Sequence, residues 1–324
     1  MANLTPTTPI RSDERLKTID WGLNGTMMSL DQLGTFLQLG VYHSGHGVVL
    51  LSALEQFDGD RFYDTTYVRS YRTRILNYVK ENKPGFGLQI LGKSENATVT
   101  TKSRRGLELF YDTREGIRVR RTIARAADGT VTQTTVLSTT AAKPVTVPVH
   151  FGLGMSLNRA SYGQLTEGGP IPIPESLNLF QIAKDGSRFT ARNPNLGATV
   201  EGHFSTDCKE FLDMDFDDSN QVFRRGSIEA KATTCIKVLP GVPVTLTLSF
   251  LLRADNSFNP PETMQTGKNT IHTPTWKLQD PAALSIIHGN LEYVLGNCMI
   301  PISETSTCVI TDHVALPLGW NRDN

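Results

Sequence analysis

Ile117-Arg118-Val119-Arg120-Arg121-Thr122-Ile123, then Asp128-Gly129, then Val131-Thr132-Gln133-Thr134-Thr135-Val136-Leu137 is the stretch that decides the fold. Side chains of an extended strand alternate between faces. Ile117, Val119, Arg121 and Ile123 therefore share one face of the first run, and Val131, Gln133, Thr135 and Leu137 one face of the second. An Asp-Gly pair between two such runs predicts a tight hairpin, because both residues tolerate the positive φ of a short turn.

The device recurs outward along the chain. Asn24-Gly25 separates Ile19–Leu23 from Thr26–Leu30, and Asp185-Gly186 separates Leu177–Ile182 from Arg188–Ala191. Pro240-Gly241 turns the run Ala232–Leu239 into Val244–Leu252, where Val244, Leu246, Leu248, Phe250 and Leu252 line one face. This density of strands and turns predicts a mainly β protein, a large antiparallel β-sandwich over residues 19–255. Residues 1–18, Thr/Pro-rich at their start, are expected to be a flexible lead-in. Residues 256–279, with Asn259-Pro260-Pro261, read as a linker. Residues 280–324 are expected to pack on the sandwich as an amphipathic helix and an extended tail. Asp280 caps the helix and Pro281 opens it; Leu284, Ile287, Leu291, Val294 and Cys298 form its apolar stripe, and Gly296 with Pro301 closes it.

Composition narrows the function. Lys plus Arg and Asp plus Glu each number 32, so there is no basic excess for nucleic acid or an anionic membrane. The run Arg118, Arg120, Arg121 reads as a solvated strand face. No unbroken apolar stretch reaches membrane length, and the N-terminus carries no secretory pattern, so a cytoplasmic protein is expected. Cys208, Cys235, Cys298 and Cys308 form no C-x-x-C pair, which predicts reduced thiols and no metal. Nucleophile elbow, P-loop and dinucleotide fingerprint are missing from the sequence, so no cofactor is expected. Gly85-Phe86-Gly87 and Gly152-Leu153-Gly154 read as strand-end turns. The acidic run Asp213, Asp215, Asp217, Asp218 reads as a solvated loop.

Two clusters carry candidate chemistry. His43 and His46 bracket Ser44-Gly45 just after Tyr42. They fit a turn whose imidazoles bond the backbone, or else acid–base work or the holding of a polar ligand head. Tyr63, Tyr67, Arg69 and Tyr71 place rings and a guanidinium on one strand face, suited to a flat oxygenated molecule or to ordinary cross-strand pairing. The catalytic candidates are thus His43, His46 and Arg69, with Trp21, Tyr42, Tyr63, Tyr67 and Tyr71 as substrate-binding rings.

Asp20-Trp21-Gly22-Leu23-Asn24-Gly25, Gly34-Thr35-Phe36-Leu37-Gln38-Leu39, Tyr42-His43, Asn158-Arg159-Ala160-Ser161-Tyr162-Gly163 and Leu165-Thr166-Glu167-Gly168-Gly169 together resemble the N-terminal β-supersandwich of six-hairpin, glucoamylase-like glycosidases. The closing Leu316-Pro317-Leu318-Gly319-Trp320-Asn321-Arg322-Asp323-Asn324 resembles the segment that opens their (α/α)6 barrel. In that family a Trp-x-Arg-Asp motif holds the sugar, a role the resemblance implies for Trp320, Arg322 and Asp323. The barrel that supplies the two carboxyl groups of hydrolysis does not follow Arg322, so these residues alone are not expected to cleave glycosides.

Two functions are carried forward. The first is a cofactor-independent cyclase of natural-product biosynthesis, similar to stand-alone fungal pericyclases that join a terpene to a quinone-methide partner by hetero-Diels–Alder reaction. Such catalysis requires an apolar pocket and a hydrogen-bond donor. The second is a non-catalytic carbohydrate-binding or accessory domain. The expected partners are a small apolar oxygenated substrate and a second copy of the chain in a homodimer.

Overall fold

The computed structural model describes residues 8–9, 19–23, 26–43, 47–52, 85–90, 94–103, 106–152, 156–159, 179–185, 188–193, 197–206, 224–225, 231–254, 279–294, 299–301 and 307–309. Within them lie twenty strands and one helix. The first strands are β1 (Thr8–Pro9), β2 (Ile19–Leu23), β3 (Thr26–Leu30), β4 (Phe36–His43), β5 (Gly47–Ser52), β6 (Gly87–Ile90) and β7 (Ser94–Ser103). Next come β8 (Gly106–Thr113), β9 (Ile117–Arg125), β10 (Val131–Thr139), β11 (Val145–Gly152), β12 (Ser156–Arg159), β13 (Leu179–Asp185) and β14 (Arg188–Asn193). The rest are β15 (Ala198–Thr206), β16 (Arg224–Arg225), β17 (Lys231–Val238), β18 (Val244–Ala254), β19 (Met299–Pro301) and β20 (Thr307–Val309), with helix α1 (Pro281–Tyr293) before β19.

The protein is a mainly antiparallel β-sandwich. One layer is a ten-stranded sheet, ordered β1-β7-β8-β9-β10-β18-β15-β14-β13-β16. Its inward positions are those that the alternation predicts: Ile117, Val119 and Ile123 on β9, Val131 and Leu137 on β10, Leu246, Leu248 and Phe250 on β18 are all buried. Arg118 and Arg120 are exposed, as read from the sequence, but Arg121 is not part of a solvated face. It is fully buried, because its odd-numbered position belongs to the inward row with Val119 and Ile123. The β9–β10 hairpin closes at Gly129, which takes φ 93° and donates its N–H to the Ala126 carbonyl at 3.1 Å. The Asp128 carboxylate accepts from the Thr130 N–H at 2.9 Å and so holds the turn. Each edge of the sheet ends in a two-residue strand, one carrying Pro9 and the other Arg224 and Arg225, residue types that discourage further pairing.

Two expectations shift. The strand expected over Leu177–Ile182 runs Leu179–Asp185 instead, and Asp185 stays paired with Arg188. The reversal therefore falls after Asp185, since a two-residue loop suffices when the flanking pair remains in the ladder. Pro240-Gly241 does turn the chain, with Gly241 at φ 75°, but β17 and β18 do not pair. The turn is a corner that carries the chain from one layer to the other.

The second layer combines a five-stranded sheet, β12-β5-β4-β3-β2, and a three-stranded sheet, β17-β11-β6. They meet at Phe36. Beyond Gln38, which pairs with Ser52 at the end of β5, the place beside β4 is taken by Phe86. Phe36 and Phe86 exchange backbone bonds of 3.0 and 2.8 Å. A Cβ on Gly85 would collide with the Phe36 carbonyl, so this approach needs glycine. The Phe36 and Phe86 rings stack at 5.3 Å, and both meet Phe250 of the opposite layer edge-on at 5.5 and 5.4 Å. These three rings tie the layers together; full burial of each stabilises by about 1.5–3 kcal/mol.

Helix α1 begins as expected, with Asp280 Oδ1 accepting from the Ala282 N–H at 2.8 Å and Pro281 in the first turn. Leu284, Ile287 and Leu291 are half-buried, whereas Val294 is 39% and Ile286 64% exposed. After the helix, β19 pairs with β20. Thr8 and Pro9, within the expected lead-in, pair with Val99 and Thr98. Among the described residues, no helix is long and apolar enough to cross a membrane.

Candidate functional site

Strand β3 and the first half of β4 bury both of their faces. Thr26, Met27, Met28, Ser29 and Leu30 are consecutive on β3 and all buried. Thr35, Phe36, Leu37, Gln38 and Leu39 are likewise buried in succession. The pairing register sorts them into rows across the sheet. Trp21, Met28, Leu39, Leu51 and Leu157 stand opposite one another from β2 to β12. Of these, Trp21, Met28, Leu39 and Leu51 belong to the core shared with the ten-stranded sheet. One position along, the row reads Asp20, Ser29, Gln38, Ser52 and Ser156. Consecutive strand residues alternate between faces, so Asp20, Ser29 and Gln38 lie on the face turned away from the shared core.

That face carries the chemistry. Ser29 is completely buried, Gln38 is 2% exposed, and the Ser29 hydroxyl donates to Asp20 Oδ1 at 2.6 Å. The next row in register is Gly22, Met27, Gly40, Leu50 and Asn158, of which Met27 is on that same face. Met27 is buried but lies outside the shared core, and Gly22 and Gly40 flank it without side chains. The arrangement offers hydroxyl, amide and carboxylate groups beside an apolar floor. A buried polar group costs free energy unless bonded, so a row of them on a covered face needs partners there.

A second polar group sits inside the sandwich. Asp31, between β3 and β4, accepts from the Leu33 and Thr35 N–H groups at 2.9 Å and from the Thr35 hydroxyl. The Leu33 carbonyl accepts from Arg121 Nη1 at 2.6 Å, and the Gly34 carbonyl from Gln133 Nε2 at 2.6 Å. Gln133 Oε1 accepts from the Leu88 N–H at 3.1 Å. Burial pushes the Asp31 carboxyl up, against the pull of Thr35 and Arg121. Burial likewise pushes the Tyr111 phenol up. This network clips the β3–β4 turn to the ten-stranded sheet.

Of the residues singled out in the sequence, Trp21 is placed in the core at 3% exposure and is not on the polar face. Its neighbours in register, Met28, Leu39 and Leu51, are apolar. Tyr42 and His43 end β4, paired with Val48 and Gly47. His46, Tyr63, Tyr67, Arg69, Tyr71, Trp320, Arg322 and Asp323 lie outside the described residues, as does the acidic run from Asp213 to Asp218. Gly87 and Gly152 do sit at strand ends, paired with each other. Cys235 is a free, exposed thiol. Among the described residues, no three His, Cys, Asp or Glu side chains converge as metal ligands. Asp20, Ser29 and Gln38 went unnoticed in the sequence. For Ser29 and Gln38 the signal was a single polar residue inside an otherwise apolar run, Met27–Leu30 and Phe36–Leu39, the mark of a strand covered on both sides.

No protein-family model and no curated protein matches the sequence. Among solved structures the chain is similar to a GalM/aldose epimerase homologue from C. elegans, at 8% identity and a TM-score of 0.43, over 74% of this chain and 99% of that one. It is similar to a polysaccharide lyase, at 13% identity and a TM-score of 0.38, over 75% and 34%. A heparan sulfate lyase HepC mutant from Pedobacter heparinus matches at 9% identity and a TM-score of 0.34, over 72% and 34%. The chain thus spans about a third of the length of either lyase. These likenesses are too distant to bear on activity, and the sandwich stands on the strand pairing of the chain itself.

Proposed function

We propose that the protein is a cofactor-independent cyclase that holds a small, apolar, oxygenated substrate against the outer face of the five-stranded sheet. The finer reading is a hetero-Diels–Alder pericyclase joining a terpene to a quinone-methide partner. The observation that supports it is the polar row Asp20–Ser29–Gln38, with Ser29 and Gln38 buried and Asp20 half-buried, on the face away from the core and bordered by Met27 and two glycines. A pericyclic reaction transfers no proton to a base and needs no metal. It gains from partners held near attack distance and from a donor to the oxygen that acquires charge. A side-chain amide in a dry setting is such a donor, while Ser29 gives its hydroxyl proton to Asp20. In this reading Ser29 and Gln38 join Tyr42, His43, His46, Tyr63, Tyr67, Arg69 and Tyr71 as residues to test. The burial of Trp21 removes one aromatic platform from the alternative, a carbohydrate-binding accessory domain.

The test is turnover of an ortho-quinone methide generated in situ with a terpene alkene, in wild type, Ser29→Ala and Gln38→Met. Gln38→Met, once its folding is verified by thermal melt, should be slower by about a hundredfold, the usual loss for one donor in a water-poor site, and Ser29→Ala, which removes only the bond to Asp20, should be slowed less. Wild-type protein that accelerates nothing yet binds an oligosaccharide would overturn the reading in favour of the accessory domain.

A further inference from the structure

The corner between β17 and β18 reads Leu239-Pro240-Gly241-Val242-Pro243. Its turn needs two of these residues: proline presets the first central position, and Gly241 supplies the positive φ of 75° at the second. Leu239 and Val242 close the turn as an isolated bridge, the Val242 N–H donating to the Leu239 carbonyl at 3.1 Å. Directly opposed strand residues point to the same side, so the two side chains form one apolar knob. Neither belongs to the core, although Val238 does and Val244 packs against it. Leu239 is 42% and Val242 54% exposed, and a Cβ on Gly241 would meet nothing within 4 Å. The tip of the β9–β10 hairpin, by contrast, is Asp128-Gly129.

Cations frame the knob. Lys237, two residues before Leu239, is exposed on the same side of the strand. Val238 pairs with Val145, which brings the exposed Ala142, Lys143 and Pro144 alongside. The turn at 114–116 adjoins them, because the Thr139 hydroxyl donates to the Gly116 carbonyl at 2.9 Å. There Arg114 offsets Glu115, so Lys143 and Lys237 leave this end of the sandwich positive.

We propose that this corner docks the protein on an anionic phospholipid bilayer, with Leu239 and Val242 entering the interface and Lys143 and Lys237 at the level of the headgroups. A protruding apolar turn leaves water most readily in a surface that yields around it, and lysines beside it gain from acidic headgroups. A stable protein partner needs about 800 Å² of matched surface, which one turn does not offer. A second copy related by a two-fold axis at this corner would set the lysines of one against those of the other. The chain as a whole has no basic excess, so the attachment is reversible and needs both the knob and the lysines.

Sedimentation of the full chain with vesicles is the test. Wild type should pellet with vesicles of phosphatidylcholine and phosphatidylserine, and several-fold less with phosphatidylcholine alone. In the double variant Leu239→Ser, Val242→Ser the partition should fall about tenfold, with the thermal midpoint unchanged because both side chains are already exposed. Ile286→Ser, which removes a still more exposed apolar residue from helix α1, should pellet as wild type does. Wild type that stays in the supernatant with both vesicles overturns the proposal. So does a double variant that pellets undiminished, or an Ile286→Ser variant that loses as much. A dimer in solution that the double variant dissolves would replace the bilayer with a second copy.

Discussion

The ten-stranded and five-stranded sheets face the same core, yet they differ in how many faces they bury. On β9 and β10 every second residue stays at least partly exposed: Arg118, Arg120 and Thr122 on one strand, Thr132, Thr134 and Val136 on the other. On β3 none does. A sheet wet on one side must alternate apolar and polar residues, while a sheet covered on both sides loses that constraint and reads as an apolar run. Polar residues therefore mean different things in the two sheets. On the wet face Thr132 or Thr134 is ordinary, but at Ser29 or Gln38 a polar group is retained against a desolvation cost. The difference picks out the polar row without help from a motif.

The comparison can be broken at its joint. Phe36→Ala removes the ring that stacks on Phe86 and meets Phe250, and urea unfolding should show a loss of about 3–5 kcal/mol. A loss under about 1 kcal/mol would mean that the two layers are held together elsewhere. Gln133→Ala should follow, at about 3 kcal/mol by the same measurement, because it orphans the buried Leu88 N–H and the Gly34 carbonyl together. The sharpest version places equivalent changes on the second face of each sheet. Ser29→Ala, on the covered face, should cost about 1–2 kcal/mol, and Thr134→Ala, on the wet face, within about 0.5 kcal/mol. Equal costs would erase the distinction between the faces.

The smallest effects are in acid and have opposite signs in the two turns. The Thr130 backbone N–H holds the Asp128 carboxyl below its ordinary value, with burial opposing weakly. A depressed folded value contributes stability that is present above the ordinary value and lost as pH falls through the folded one. Asp31 is raised by burial, so the folded state keeps a proton that the unfolded chain releases. Its penalty is absent at low pH, grows as pH rises above the ordinary value of 3.8 and is complete above the raised value. Chemical unfolding from about pH 3 to 6 should show Asp128→Asn losing less stability than wild type on acidification. Wild type should lose stability relative to Asp31→Asn as pH rises. Parallel curves for all three proteins would show that neither turn senses its surroundings as described.

What the sequence by itself determined is the local pattern of part of the ten-stranded layer. The inward residues of β9, β10 and β18, the Asp128-Gly129 turn and the Asp280-Pro281 helix start are local consequences of pleat, turn chemistry and capping, and each can be read within a dozen residues. Only the tertiary structure decided the rest. That Arg121 is buried follows from its register with Thr135 and from the turn that lands on it, a contact across 88 positions of chain. That Pro240-Gly241 is a corner follows from which strands its neighbours pair with. Asp20, Ser29 and Gln38 form a row only because three strands align them, and Trp21 is a core residue only because the adjacent row faces inward. Strand pairing is non-local, and a shift of one residue exchanges the two faces, so the meaning of a polar residue inside an apolar run waits on the register that only the folded sheet supplies.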